Sequence, residues 1–167
     1  DGYRVDACGG SKDNNWNPEI PYARASFARL QAGYHMLAAI RGGVKESRPK
    51  TGGILAEVGD PNLGTVADAV YDFDGCYGVF PRLLGEMSPD DWVRNFRHWL
   101  RERSLGDIQG LIRLRHLESH DSLRSAERYG IPTLRALMAV ISFIDGMPLI
   151  YHEEEIGHLD EFRRIFA

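Results

Sequence analysis

What most constrains the fold of this chain is an alternation kept up along its length, in which short apolar runs take turns with segments whose apolar residues recur every three or four positions. The runs at 2–7 (GYRVDA), 53–58 (GILAEV), 66–73 (VADAVYDF), 111–117 (LIRLRHL) and 149–151 (LIY) have strand character. Between them lie helical patterns. Over 22–41, Phe27, Leu30, Tyr34 and Leu37 share one helix face, and Gly42-Gly43 supplies a stop. Ser88-Pro89-Asp90-Asp91 has the cap residue, first-turn proline and first-turn acids of a helix start, and Trp92, Phe96, Trp99 and Leu100 follow at helical spacing. Pro132 opens another helix with Leu134, Leu137, Met138 and Ile141 on one face, and Gly146-Met147-Pro148 separates it from the last run. Short apolar strands joined by amphipathic helices bury both faces of a sheet, which is the pattern of an α/β fold with parallel strands.

The chemistry-bearing side chains gather at the C-terminal ends of these runs. Asp6 closes the first, with Arg4 two positions back and hence on the same side of an extended chain. Glu57 ends the second, His120-Asp121 follow the fourth, and the HEEE stretch at 152–155 follows the fifth. In parallel α/β folds that edge is where ligands bind. A guanidinium beside Asp6 favours the ionised carboxylate that a nucleophile requires. Glu57 sits in an apolar run with fewer cationic neighbours, where desolvation favours the protonated form that a general acid requires. Plainer readings stand beside these. Arg4 and Asp6 also suit a structural ion pair, Glu57 a helix-capping or surface acid, and His120-Asp121 a turn hydrogen bond. Consecutive residues of HEEE cannot all converge on one ion, so the stretch reads as loop structure. His116, inside its run, reads as a satisfied core histidine.

Composition excludes several function classes. The net charge of -4, without clustered Lys or Arg, lacks the electrostatic footprint of a nucleic-acid binder. Arg94, Arg97, Arg101 and Arg103 read instead as a solvated helix face. The longest apolar run, 136–144, is too short to span a bilayer, so a soluble chain without membrane partners is expected. Cys8 and Cys76, the only cysteines, make neither a disulfide framework nor a zinc set. At 167 residues the length suits a single domain, yet the chain opens inside a strand with no Met or signal segment, which suggests a fragment of a longer protein.

Taken in order, these stretches resemble the alpha-amylase superfamily of glycoside hydrolases. DGYRVDA resembles the family's nucleophile strand, which ends in the catalytic aspartate, here Asp6. ILAEVGD resembles the next strand, ending in the acid/base glutamate, here Glu57. LESHD is similar to the His-Asp pair of the seventh strand, here His120 and Asp121, and GMPLIYHEEEIG resembles the eighth. VADAVYDF fits the sixth loosely. The resemblance implies a partial TIM (β/α)8 barrel, with residues 1–167 forming its C-terminal five strand–helix units and the missing N-terminal half of the barrel lying upstream. It implies retaining hydrolysis or transglycosylation of α-linked glucosides through a covalent glycosyl-aspartate, with an α-glucan or oligosaccharide as substrate. Asp6, Glu57 and Asp121 would be catalytic, and Arg4 and His120 substrate-binding. No cofactor is required for the chemistry and no metal ligand is assigned; a structural calcium is possible in such enzymes but is not supported by this segment.

The alternative is a non-catalytic barrel relative serving as a carbohydrate-binding or scaffold module, against which the presence of all three carboxylates argues. An unrelated α/β hydrolase is disfavoured because no Gly-x-Ser-x-Gly elbow occurs. Two departures from the family pattern stand out. Cys8-Gly9-Gly10 occupies the place of a basic or His residue in many members, and Glu153 replaces a common glycine. Trp16, in the polar loop over 9–21, suits either stacking on a sugar ring or a place in the core.

Overall fold

The computed structural model describes residues 2–6, 8, 22–85 and 88–159. Strands β1 (Gly2–Val5), β2 (Gly53–Ala56), β3 (Ala69–Tyr71), β4 (Ile112–Arg115) and β5 (Met147–Pro148) form one sheet in that order, every neighbouring pair parallel. Parallel neighbours need crossovers, which helices supply in three of the four connections. These are α1 (Tyr22–Ser47), then α2 (Phe80–Gly85) with α3 (Pro89–Gly106), then α4 (Ser125–Tyr129) with α5 (Ile131–Phe143). Between β2 and β3 a 3₁₀ turn over Pro61–Thr65 suffices, capped by the Asp60 side chain accepting from Asn62 N at 2.8 Å. An order that never reverses belongs to a barrel wall, since an open doubly wound sheet carries a switch point where the direction changes.

Apolar side chains bury between sheet and helices in two clusters. One joins Leu37 and Val44 of α1 to Ile54, Ala56, Val58 and Val70; the other joins Phe80, Phe96 and Trp99 to Leu117, Leu134, Leu137 and Ile141. The helix starts follow the sequence signals closely. Ser88 Oγ accepts from Asp91 N at 3.2 Å with Pro89 at the first helical position, and Phe96 and Trp99 turn inward. On the outer face Arg97 and Arg101 are exposed, while Arg94 pairs with Asp91 and Arg103 with Asp74.

Four local expectations are corrected. Gly42-Gly43 does not stop α1, which runs on to Ser47 because Val44 reaches the core and Arg41 and Lys45 hold Asp68 at 3.0 and 3.6 Å. Those contacts outweigh the roughly 1 kcal/mol that each helical glycine costs. On the same helix Leu37 is buried but Tyr34 is 41% exposed, and the side chains of Phe27 and Leu30 lie outside the described residues. The third strand begins only at Ala69, since the Asp68 carboxylate accepts from Ile54 N at 2.8 Å and the residues before it belong to the turn. Gly75 does not end that strand, which stops at Tyr71. It lies in a π-helical turn, Asp74–Val79, where a Cβ on it would lie 2.3 Å from Asp72 Oδ2. The fifth strand falls on Met147–Pro148 rather than on 149–151, extended by Leu149 N donating to Arg115 O at 2.8 Å. Gly146, at φ 128°, makes the turn that delivers Met147 straight onto β4, where a Cβ would sit 2.5 Å from Arg113 O.

Two arginines of β4 are buried in spite of their charge. Arg113 Nε donates to Asp107 at 2.9 Å, and Arg115 Nη1 meets Asp72 Oδ2 at 2.6 Å across the strand pair with its guanidinium over Trp99. Such pairs add little net stability, because desolvation offsets most of the attraction. No helix among the described residues is long and apolar enough to cross a membrane.

Candidate active site

Register places the two leading carboxylates. Val5 lies opposite Ala56, and Glu57 N donates to Val5 O at 3.0 Å, so Asp6 and Glu57 leave adjacent strands at the same level of the sheet edge. Parallel neighbours lie about 4.8 Å apart, so the two carboxyls start within one strand spacing of each other. Beyond β4 a tight turn aims the second pair. Ser119 N donates to Ser122 Oγ at 2.8 Å and Asp121 N to Ser119 Oγ at 3.3 Å, turning His120 and Asp121 back over the same edge.

All five residues singled out in the sequence meet there. The Arg4 guanidinium pairs with Glu57 and lies 3.8 Å from Asp6 Oδ1. His120 Nε2 is 3.8 Å from Glu57 Oε1 and 3.4 Å from Asp121 Oδ2. The side chains of Asp6 and Asp121 are 76% and 71% exposed, open to an incoming ligand, whereas that of Glu57 is only 10% exposed.

One expectation is reversed by this geometry. The sequence pairs Arg4 with Asp6 and leaves Glu57 among apolar neighbours, yet the closer carboxylate to Arg4 is Glu57, which His120 also flanks. The reason lies on a third strand. Arg4 Nε donates to the Tyr71 hydroxyl at 3.1 Å, which draws the guanidinium across β2 instead of back along β1. A partner two strands away leaves no trace in the local sequence.

Glu57, His120 and Asp121 each offer one ligand atom within 4.8 Å of the others, the one such group among the described residues. They suit calcium poorly, since it takes oxygen ligands and one of these three donors is an imidazole nitrogen. The Arg4 cation on Glu57 further opposes a second positive charge. Where many amylase-like chains carry a basic residue, Cys8 is buried and its Sγ donates to Val5 O at 2.9 Å. Burial pushes that thiol up to about 11, so it closes the turn after β1 as a neutral group. Trp16 lies outside the described residues.

Behind the site, the HEEE stretch is loop structure with one buried member. Glu154 is 1% exposed and accepts from Ser125 Oγ and Tyr151 N, both at 2.9 Å. Beside it Glu118 takes Arg124 at 2.9 Å, and Arg124 also donates to the His152 carbonyl at 2.8 Å, tying the two loops together. Glu153 stands at φ 64°, a left-handed backbone that glycine adopts freely, and is held there by His158 Nδ1 at 3.2 Å. His116 is buried as expected, with Nδ1–H donating to Leu114 O at 3.2 Å, but its Nε2 has no hydrogen-bond partner among the described residues.

Burial, reinforced by the Glu118 charge, pushes the Glu154 carboxyl from 4.5 up to about 7. Between those values the folded chain holds a proton that the unfolded chain has released, so this group's contribution to stability falls as pH rises through the window. Relative to Glu154→Gln, the wild type should lose roughly 3 kcal/mol of unfolding free energy between pH 4.5 and pH 7 and little thereafter. Denaturant titrations of both proteins across that range measure the difference; a pH-independent difference would rule out the buried proton.

No protein-family profile matches the chain. Over 115 residues, 64% of its length, the chain is 26% identical to Maltase 1 of Drosophila virilis, of which the match spans 18%. Solved structures resemble it too. A maltogenic alpha-amylase, AmyB, from Thermotoga neapolitana superposes with a TM-score of 0.64 at 23% identity, over 77% of this chain and 29% of that one. An alpha-amylase from Lactobacillus plantarum gives 0.65 at 20% identity, over 96% and 36%. The trehalose-6-phosphate hydrolase of Bacillus licheniformis gives 0.61 at 19% identity, over 96% and 32%. The chain thus spans well under half the length of each. These likenesses show the fold, an α/β chain forming part of a (β/α)8 barrel, and the neighbours are enzymes of the kind its motifs resemble.

Proposed function

We propose that this chain carries the catalytic carboxylates of a retaining glycosidase acting on α-linked glucosides, by hydrolysis or transfer, and that it forms the C-terminal five units of a barrel completed by further strands. The observation that carries the reading is the meeting of Asp6, Glu57 and Asp121 at one C-terminal sheet edge, with the first two on adjacent strands. Retention requires carboxyls about 5 Å apart, which one strand spacing supplies. Barrel completion is supported by the edges of the sheet, β1 and β5, where Tyr3 is 61% and Met147 41% exposed.

Each residue then has a part. The exposed Asp6 carboxylate attacks the anomeric carbon while Glu57 gives its proton to the departing glycosidic oxygen, leaving a glucosyl ester on Asp6. Glu57, now a carboxylate, takes a proton from water or an acceptor sugar, whose oxygen displaces Asp6 and restores the starting configuration. Asp121 and His120 hold sugar hydroxyls, and Arg4 steadies negative charge as the proton leaves Glu57. The test is the anomer first released from an α-glucoside by the complete protein, followed by NMR before mutarotation. The α anomer is expected. Initial release of the β anomer would overturn the covalent mechanism, and absence of turnover with retained sugar binding would favour a binding module.

A further inference from the structure

Building on the glycosidase reading, we propose that Tyr71 is a positioning residue, whose phenol touches no reacting atom but sets which carboxylate the Arg4 guanidinium serves. Arg4 starts on β1 and its Nε reaches the Tyr71 hydroxyl on β3 at 3.1 Å, crossing the end of β2 on the way. Two strand spacings amount to about 10 Å, a gap that the arginine and the phenol span together, so this hydrogen bond keeps the arginine extended above Glu57. With Nε so occupied, Nη2 faces Glu57 and lies 3.8 Å from Asp6.

The anchor is rigid. Tyr71 is 4% exposed, and its ring packs edge-on against His116 at 5.3 Å and lies tilted against Phe73 at 5.1 Å. Burial raises the Tyr71 phenol and lowers the His116 imidazole, so both stay neutral near neutral pH and bring no charge to the site. What the phenol supplies is direction. Among the described residues, the titratable groups around the Arg4–Tyr71 pair are Asp6 and Cys8 from β1 and its exit, Glu57 from β2, His116 beside the phenol ring, and His120 and Asp121 from the turn beyond β4, which reach the pair through Glu57.

Tyr71→Phe keeps the ring and removes only the oxygen. The guanidinium, released from β3, falls back toward Asp6 on its own strand and away from Glu57. In the pH profile of kcat/KM for an α-glucoside, the alkaline limb, which reports the proton donor, should move up, and the acid limb, which reports the nucleophile, should move down, each by about one unit. The bell widens while its maximum falls roughly 10-fold, mostly through kcat. In an Arg4→Lys background, where the side chain has no Nε–H to give the phenol, Tyr71→Phe should move neither limb further. Lower activity with both limbs in place would give Tyr71 a packing role only and overturn the proposal. Limb shifts of equal size in the Arg4→Lys background would overturn it as well, since they could not pass through the guanidinium. A wild type without activity on α-glucosides would instead overturn the glycosidase reading, and the role of Tyr71 with it.

Discussion

Asp6→Asn in the complete protein should lower turnover of α-glucosides by roughly 10⁴-fold or more while leaving the fold intact. The two halves of that expectation have separate physical grounds. An amide oxygen is a poor nucleophile toward an anomeric carbon, so the glucosyl ester cannot form and the displacement loses its first step. The fold is spared because the Asp6 side chain is 76% exposed and its contact with Arg4 is long, at 3.8 Å. Exposed pairs of that kind contribute little, and unfolding should shift by no more than about 0.5 kcal/mol. A second readout makes the assignment specific. Wild-type protein quenched during turnover of a slowly deglycosylated substrate should carry one glucosyl unit on the peptide containing Asp6, and the variant should carry none. Near-normal activity in the variant, or an adduct on another residue, would take Asp6 out of the role.

Asp6, Glu57 and His120-Asp121 could be placed on one edge from the sequence because strand ends are local features. A run of apolar residues ending in an acid states its own boundary, and parallel strands bring all such ends to one side. The parallel pairing of the strands was legible for the same reason, since helical periodicity between runs requires crossovers. What escaped the sequence depends on partners far along the chain. Tyr71 reads as one more apolar strand residue until Arg4, 67 positions away, is seen against its hydroxyl. Arg115 and Asp72 pair across 43 positions, and the buried Glu154 finds its hydroxyl partner in Ser125, 29 positions back at the start of α4. Gly42-Gly43 misled because local propensity spoke for a stop while Val44 had a core to reach. The charged residues within buried runs, Arg113, Arg115 and Glu118, were the available signal that each had a partner elsewhere.

Glu57→Gln should behave differently from Asp6→Asn on both axes, and the contrast separates the two carboxyls. The Glu57 side chain is 10% exposed and faces both Arg4 and His120, so a neutral amide leaves the guanidinium without its nearest counter-ion. Arg4 is itself 34% exposed, which keeps the stability cost near 1–2 kcal/mol instead of the 3–5 of a fully buried pair. Activity on unactivated α-glucosides should fall about 10²–10⁴-fold, the usual worth of a positioned proton donor and acceptor. An aryl glucoside whose phenolate leaves without protonation does not need that donor, so its first step should proceed at a rate near wild type and the glucosyl ester on Asp6 should accumulate. Breakdown of the ester still lacks the base. Added azide, already ionised, needs none, and should restore turnover with release of the α-glucosyl azide. Equal losses on both classes of substrate, without azide rescue, would show that Glu57 holds the site together through Arg4 and His120 and transfers no proton.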